Sequence, residues 1–371
     1  MKDDAVVTPW EVKGDIDYGR LSREFGVSPM GDLPKSFKEN TLFRRGKIFA
    51  QRDYGRILDA SKSCKPFVMM TGLMPTGKFH IGHAIVAKQF TFYQELGAKL
   101  YIAVADIEAY NAREQTLSES RKNAFDQYIL NYIALGLKPK DCEIYFQSDR
   151  SKDGKKAGAY YRLQNLLSRH ATFNEFRAVY GDISPAKMLC GLLQASDMLH
   201  AQLPEFEGPI PVVIPVGIDQ DPHIRLARDM ASRIKEVKLM QLSSTYHTFV
   251  PGLTGGKMSS SDPNSFIALT DDEKTVKAKV NRYAFSGGRD TMEEHRRLGG
   301  VPEIDVAYQW LTFFEDDDRK LQSIYDDYKS GKMLSGELKA VLIEKLNHFL
   351  ADHQKKREKA KSQVEKFVAM D

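Results

Sequence analysis

The sequence predicts an α/β protein, a doubly wound parallel sheet followed by a smaller α-helical domain. Three observations predict it. Short apolar runs that end in Gly or a turn alternate with helix-period stretches from about residue 65. The strand-like pattern stops after Gly256, and from about Val301 onward the chain reads as helices with polar faces. A length of 371 residues fits two or three domains.

Residues 1–60 are rich in charge and have no clear period, which predicts an N-terminal extension wrapped on the body. Pro66 to Gly72 is the first buried strand, and the loop from Leu73 to Phe79 contains Pro75 and Gly77. His80 to Leu96 is helical, with Ile81, Ala84, Ile85, Phe92 and Leu96 on one face and Gly97 as the stop. Leu100 to Val104 is the second strand and completes a β-α-β unit. Thr116-x-x-Glu119 is a capping box for a helix closed by Gly136, and Glu143 to Phe146 is a third strand. Ser184-Pro185 starts a helix running to Leu199, and Pro211 to Gly217 is a fourth strand. Asp221-Pro222 is expected to cap the helix His223 to Ile234, and Thr270-x-x-Glu273 to open another. The expected domains are a 1–60 extension, a catalytic domain over 61–285 with a helical insertion at about 112–185, and a helical domain over 286–371.

Composition excludes several classes. Apolar residues at 42% and charged residues at 28% are those of an ordinary globular chain. Cys64, Cys142 and Cys190 are too few and too scattered for a disulfide framework or a metal knuckle, which points to a reducing, cytoplasmic setting. The polar start, Met1-Lys2-Asp3-Asp4, is unlike a signal peptide, and no apolar run nears the ~18 residues that span a bilayer. No membrane partner is expected. A net charge of +4 permits RNA binding without requiring it. The C-terminal lysines, Lys355, Lys356, Lys359, Lys361 and Lys366, read on charge alone as a solvated helix face.

The first stretch that carries chemistry is Pro75 to His83, between strand one and the following helix, where backbone N–H groups and the helix dipole attract phosphate. His80 and His83 are three apart and share a face, so both imidazoles can donate to charge developing on a transferring phosphoryl group. Gly82 between them lets a flat purine approach the backbone. The blander alternatives are incidental histidines or half a metal site, and no nearby Cys or carboxylate completes a metal set. The second stretch is Gly255-Gly256-Lys257-Met258-Ser259-Ser260-Ser261, a Gly-rich loop with one ammonium group and three hydroxyls. Expulsion of pyrophosphate from ATP needs a cation on the leaving phosphates, and Lys257 is the candidate. Alone, this loop reads first as polar surface. The third is Gly217-Ile218-Asp219-Gln220 at the carboxyl end of strand four, where ligands sit in open α/β sheets and an Asp accepts from ribose hydroxyls.

Together, His80-Ile81-Gly82-His83 and Lys257-Met258-Ser259-Ser260-Ser261 resemble the two ATP motifs of class I aminoacyl-tRNA synthetases, whose catalytic domain is Rossmann-like. Ser260 stands where the second motif usually has its second lysine, which leaves one cation on that loop. The resemblance narrows to tryptophanyl-tRNA synthetases of the archaeal and eukaryotic type. It is carried by Thr8-Pro9-Trp10-Glu11-Val12, Asp219-Gln220-Asp221-Pro222, Ser261-Asp262-Pro263-Asn264-Ser265, Phe285 to Thr291, Leu311-Thr312-Phe313-Phe314 and Ser335 to Lys339.

What that resemblance implies is specific. His80, His83 and Lys257 act on the phosphates; Thr71, Gly72, Gly82, Gly217, Asp219, Met258, Ser259 and Ser260 contact ATP; and Met70, Glu108, Gln194, Asp197 and Gln220 contact the amino acid. Many eukaryotic-type relatives reach the indole nitrogen with a Tyr and a Gln, at whose positions this chain has Met70 and Ala103. The helix from Pro185 offers Gln194 and Asp197 on one face instead, and Asp197 is the expected indole acceptor, with a salt-bridged helix residue as its alternative. Glu108, on the loop after strand two, is expected to face the substrate ammonium or solvent. Tyrosyl enzymes put tyrosines where Met70 and Cys190 stand. The implied reaction joins L-tryptophan to ATP as an adenylate, then transfers it to tRNA(Trp). Mg²⁺ rides on the ATP phosphates rather than in a protein cage. The same resemblance implies a homodimer and an anticodon-facing helical domain, which raises the C-terminal lysines as RNA contacts. The alternatives are a tyrosyl-tRNA synthetase, a non-catalytic tRNA-binding paralogue or a small nucleotidyltransferase. Asp316-Asp317-Asp318 reads as a helix cap or solvated face rather than a metal site.

Overall fold

The computed structural model describes residues 17–256, 258 and 262–368, together with the backbone of Val6–Val7 and Val12–Lys13, which pair antiparallel. Thr8 to Glu11 of the N-terminal motif lie outside the described residues, as do Lys257, Ser259, Ser260 and Ser261.

Seven strands form one sheet, in the order Ser28–Pro29, Ile48–Arg52, Ser243–His247, Val212–Gly217, Val68–Leu73, Lys99–Val104 and Cys142–Phe146. The last five run parallel, and the chain winds outward in both directions from Val68–Leu73, as a doubly wound sheet does. The first two are antiparallel additions. Side chains alternate between two cores. Met69, Leu100, Ile102, Ile144 and Phe146 pack on one face against the helix Ile81–Glu95. Val68, Met70, Tyr101, Ala103 and Tyr145 pack on the other against the helix Pro185–Leu199.

Most expected elements stand where the pattern puts them. Thr116 and Glu119 form the capping box, and the helix Leu117–Asn123 runs through a π-helical turn, Ala124–Ile129, before Gly136 ends it at φ 108°. Ser184 caps the helix Pro185–Leu199 by accepting from Lys187 N–H at 3.3 Å.

Several differ. Residues 1–60 do more than wrap the body, because Ile48–Arg52 and Ser28–Pro29 extend the sheet. Their alternation spans too few residues to register as a period. The strand Ser243–His247 was not expected, since Ser243, Ser244 and Thr245 are polar, yet each is 1% exposed or less. Ser243 donates to Asp53 O at 2.8 Å and the Thr245 hydroxyl lies 3.3 Å from that of Tyr93, so tertiary hydrogen bonds replace apolar content. Asp221 does not cap its helix. It is the first residue of Asp221–Arg233, fully buried, and its carboxylate takes Arg52 at 2.9 Å, Arg225 at 3.1 Å and the Tyr246 hydroxyl. Thr270 is not a cap either; Asp272 caps the helix Glu273–Tyr283. Proline after Asp221, and an Asp two residues past Thr270, settle each helix start by local geometry that the spacing rule does not weigh. The 112–185 stretch is not purely helical, because it contributes the sheet's edge strand Cys142–Phe146.

The C-terminal helices share the first core. Leu338, Leu342, Leu346 and Leu350 form a buried stripe four residues apart on the helix Ser335–Ala360. Phe367 O accepts from Ile144 N–H at 3.1 Å, so the end of the chain closes the outer sheet edge. Asp317 caps the helix Asp318–Lys329, and Asp318 is held by Arg44 at 2.7 Å and Arg45 at 2.6 Å. Two of the C-terminal lysines are paired within the helix end, Lys356 with Asp352 and Lys361 with Glu358.

Candidate active site

The turn between Leu73 and Ile81 is fixed from both sides. Asn123 donates to Pro75 O at 2.6 Å and the Tyr128 hydroxyl to Thr76 O at 2.7 Å. On the other side, Ile81 N–H bonds Ile267 O at 3.0 Å and Leu269 N–H bonds Phe79 O at 3.1 Å. His80 therefore enters the helix from an extended conformation, with its ring stacked on His83 at 3.8 Å between centroids. His80 N–H donates to His83 Nδ1 at 3.2 Å, which leaves the neutral His83 ring its proton on Nε2. Burial drives both imidazoles down, His80 to about 2 with His83 beside it as a second cause, and His83 to about 4. At neutral pH they are uncharged hydrogen-bonding groups in a dry site. His80 Nδ1 is buried without a partner among the described residues.

Gly82 is where the two motif segments meet. A Cβ there would stand 3.1 Å from the His80 ring and 3.3 Å from Met258 Sδ. The glycine thus clears room for the stacked imidazoles as well as for any ligand, and Met258, buried, brings the second loop onto the start of the helix. The base of that loop is tied down by Leu253 N–H to Ser265 O at 2.8 Å and by Trp310 Nε1–H to Pro251 O at 2.8 Å.

At the end of the strand Val212–Gly217, a Cβ on Gly217 would lie 2.5 Å from Asp219 Oδ1 and 2.8 Å from the Phe249 ring. No side chain fits, so the glycine lets Asp219 fold back beside the strand end. Asp219 is buried, and Gln220 Nε2 donates to its Oδ2 at 3.2 Å. The Tyr18 hydroxyl accepts from Phe249 N–H at 2.8 Å, and burial, with Asp219 nearby, pushes that phenol up to about 12.

Beside these groups, at the carboxyl ends of the parallel strands, lies a cavity of about 320 Å³. Met70, Thr71, Gly72, Glu108, Gln194, Asp197 and Gln220 all line it, together with Ala103. Asp197 is held on both oxygens. The hydroxyls of Tyr145 and Tyr160 each donate to Oδ1 at 2.6 Å, and Gln147 Nε2 donates to Oδ2 at 2.7 Å. Burial raises its carboxyl to about 6 against the pull of those three donors and of Arg150. Its partners are neutral hydrogen-bond donors, so it is not a salt-bridged helix residue.

Glu108 differs from expectation. It sits on the helix Asp106–Arg113 rather than a loop, and it is buried rather than facing solvent. The helix starts directly after the strand because Asp106 takes Ile107 N–H at 3.0 Å and the Ser148 hydroxyl. Gln147 Nε2 also reaches Glu108 Oε1 at 2.7 Å, and Gln194 Nε2 reaches Oε2 at 2.9 Å. One amide nitrogen thus bridges two buried carboxyl groups. Burial, with Asp197 adding to it, pushes Glu108 up to about 8.

Sequence reasoning missed the layer behind Asp197. Tyr145 pairs with Ala103 across the sheet and fills the space that the small side chain leaves. Arg150, 1% exposed, stacks on the Tyr145 ring at 3.9 Å, bonds His200 Nε2 at 2.6 Å and pairs with Glu143. His200 Nδ1 in turn lies 2.8 Å from Asp197 O, so the imidazole links Arg150 to the backbone of the pocket helix. The available signal was Glu143, Tyr145 and Gln147 at period two, a polar row on a strand that should be buried. Among the described residues no three His, Cys, Asp or Glu side chains come together as a metal-holding group.

Residues 62–351 match the family model described as tRNA synthetases class I (W and Y). The tryptophan–tRNA ligase of Aeropyrum pernix is 45% identical over 367 residues, covering 97% of each chain. That of Methanocaldococcus jannaschii is 44% identical and covers 96% of each. The crystal structure of the Aeropyrum pernix tryptophanyl-tRNA synthetase superposes with a TM-score of 0.89 at 44% identity, covering 95% of this chain and 96% of that one. That of Plasmodium falciparum gives 0.84 at 31% identity, covering 95% and 97%.

Proposed function

The chain belongs to the class I tRNA synthetases of the tryptophan and tyrosine family, and from that premise we propose that it joins tryptophan to tRNA at the cost of ATP. The observation that supports the residue assignment is the sheet's carboxyl edge, where Gln220 lines the Asp197 pocket and donates to Asp219, and Leu73 and Met74 of the same lining lead into the turn that carries the His80–His83 stack. In the first step the tryptophan carboxylate attacks the α-phosphorus of ATP and pyrophosphate leaves. The nucleophile is already ionised, so positioning and charge stabilisation suffice. Neutral His80 and His83 donate N–H bonds to the phosphate oxygens, and Lys257 supplies positive charge to the leaving group. Asp219 takes the ribose; Thr71, Gly72, Gly82, Gly217, Met258, Ser259 and Ser260 frame the nucleotide. In the second step a ribose hydroxyl at the 3′ end of tRNA takes the acyl group. Mg²⁺ is carried by the ATP phosphates.

Asp197 receives the indole N–H on Oδ2, which has one protein donor and a remaining lone pair. Met70 and Ala103 shape the apolar slot, and a phenol would find no tyrosine hydroxyl at Met70 to share its proton. Glu108, Gln194 and Gln220 hold the amino-acid head group. The helices from Val306 onward face the anticodon, with the C-terminal lysines as RNA contacts. Tyr110, Leu117, Phe173 and Leu189 are large, apolar and exposed on the helices around the pocket, which supports a homodimer through that side. Three unpaired cysteines, Cys64 among them at the surface, support a reducing cytosol. ATP–pyrophosphate exchange tests the assignment: Asp197→Asn is expected to lower the efficiency of tryptophan activation by about 10-fold or more with the KM for ATP unchanged. An unaltered tryptophan efficiency would remove Asp197 from recognition, and exchange with tyrosine alone would overturn the substrate.

A further inference from the structure

A second cavity, of about 810 Å³, lies between the base of the Lys257 loop and the helical region. Tyr18, Lys47, Thr248, Phe249, Gly255 and Gly256 form its loop side, and Phe285, Ile304 and Phe313 its helical side. Three of these groups are hydrogen-bond donors without an acceptor among the described residues. Lys47 Nζ stands 4.4 Å over the Phe313 ring and makes no ion pair among the described residues, and the Arg45 charge bears on it. Thr248 Oγ1 is buried without a partner. The Tyr18 hydroxyl accepts from Phe249 N–H and keeps its own proton to donate. The three are neighbours through the backbone, since Thr248 N–H bonds Lys47 O at 2.7 Å and Phe249 N–H bonds Tyr18. The one carboxylate among the described lining residues, Glu303, is engaged by the Tyr325 hydroxyl at 2.5 Å.

A half-buried ammonium beside two spare hydroxyl donors is a site for an oxyanion. Its location narrows the source. Phe249 lies against Gly217 and Asp219, on the ribose side, and Gly255 and Gly256 lead directly into Lys257. That loop offers a single lysine, Lys257, with Ser259, Ser260 and Ser261 after it, so a further cation on the phosphates must come from elsewhere. We propose that Lys47, with Thr248 Oγ1 and the Tyr18 hydroxyl, receives phosphate oxygens at the pyrophosphate end of ATP and supplies the second positive charge for the leaving group. The inference rests on the reading of the Lys257 loop as the ATP loop. Burial, and Arg45 after it, hold the free Lys47 ammonium down at about 8, so phosphate binding above that pH draws a proton back onto it. Arg45, Glu303 and the Tyr18 phenol are the other titratable groups facing it.

The test is calorimetric binding of inorganic pyrophosphate to the full chain, alongside ATP–pyrophosphate exchange. Lys47→Met is expected to weaken pyrophosphate, and to raise the KM for ATP, by about 10-fold, with the KM for tryptophan unchanged. Lys47→Arg is expected to restore most of this, and Thr248→Val to cost about 3-fold. At pH 8.5 the wild type takes up protons on binding pyrophosphate, read from buffers of different ionisation enthalpy, and Lys47→Met does not. Wild-type pyrophosphate affinity in Lys47→Met overturns the proposal, and so does a raised KM for tRNA with pyrophosphate unaffected, which would make the phosphate that of tRNA. Lys257→Met separates the two readings. If it weakens pyrophosphate while Lys47→Met does not, only the Lys47 site falls; if neither does, the ATP loop itself is misassigned.

Discussion

The two halves of the cleft are built in opposite ways. The nucleotide half is made of contiguous motifs, each with a glycine that clears space: Gly82 beside the stacked imidazoles and Gly217 beside Asp219. The pocket half draws on separate segments, with Tyr145 and Gln147 at one strand, Tyr160 and Asp197 on two helices, and Arg150 and His200 behind. The first half holds buried bases that stay neutral, and the second holds buried acids that resist ionising. One cost, desolvation, shifts both, in opposite directions.

The sharpest way to break this comparison is to remove the pocket's hidden support. Arg150→Met leaves Glu143 and His200 without their buried partner and is expected to cost about 3–5 kcal/mol of stability, read by urea unfolding. A loss below 1 kcal/mol would mean that the layer behind Asp197 is not structural. Next in size is the nucleotide half. Gly217→Ala places a methyl group within 2.5 Å of Asp219 Oδ1 and is expected to reduce kcat/KM for ATP by about 100-fold, with little change in the KM for tryptophan. Equal damage to both substrates would mean that the two halves are not separable.

The smallest effect is the most discriminating, because the halves should titrate with opposite sign. Glu108 rises from 4.5 to about 8 on folding, so its contribution is complete below pH 4.5 and is lost as pH rises through 8. His83 falls from 6.5 to about 4, so its contribution is complete above pH 6.5 and is lost as pH falls toward 4. Between pH 6.5 and 8, Glu108→Gln should therefore remove a downward slope that approaches about 1.4 kcal/mol per pH unit, while His83→Asn should leave it. Between pH 4 and 6.5 His83→Asn should flatten the acid-side loss. Urea midpoints at pH 5, 6.5 and 8 decide both, and identical profiles for the two variants would refute the opposed pairing.

Legibility followed the same division. The motifs His80 to His83 and Gly217 to Gln220 were readable because their chemistry is local: a strand end, a glycine and a helix start fix the geometry within a few residues. Four of the five parallel strands were readable because their apolar content exceeds anything a loop would carry. The strand Ser243–His247 was not, because its buried hydroxyls meet Asp53 and Tyr93, which the pattern of one segment cannot reveal. Asp221 was misread for a related reason. Its Asp-Pro neighbours suggest a cap, but its partners Arg52, Arg225 and Tyr246 include residues far away in the chain.

By itself the sequence determined the doubly wound sheet and the helical C-terminal region, since periodicity and short-range turn chemistry specify those. Only the tertiary structure decided that Glu108 is buried, that Gln147 joins it to Asp197, and that Arg150 and Lys47 stand where they do. Such facts depend on which distant groups share a desolvated volume, and the free energy of a buried charge is set by those neighbours rather than by its place in the chain.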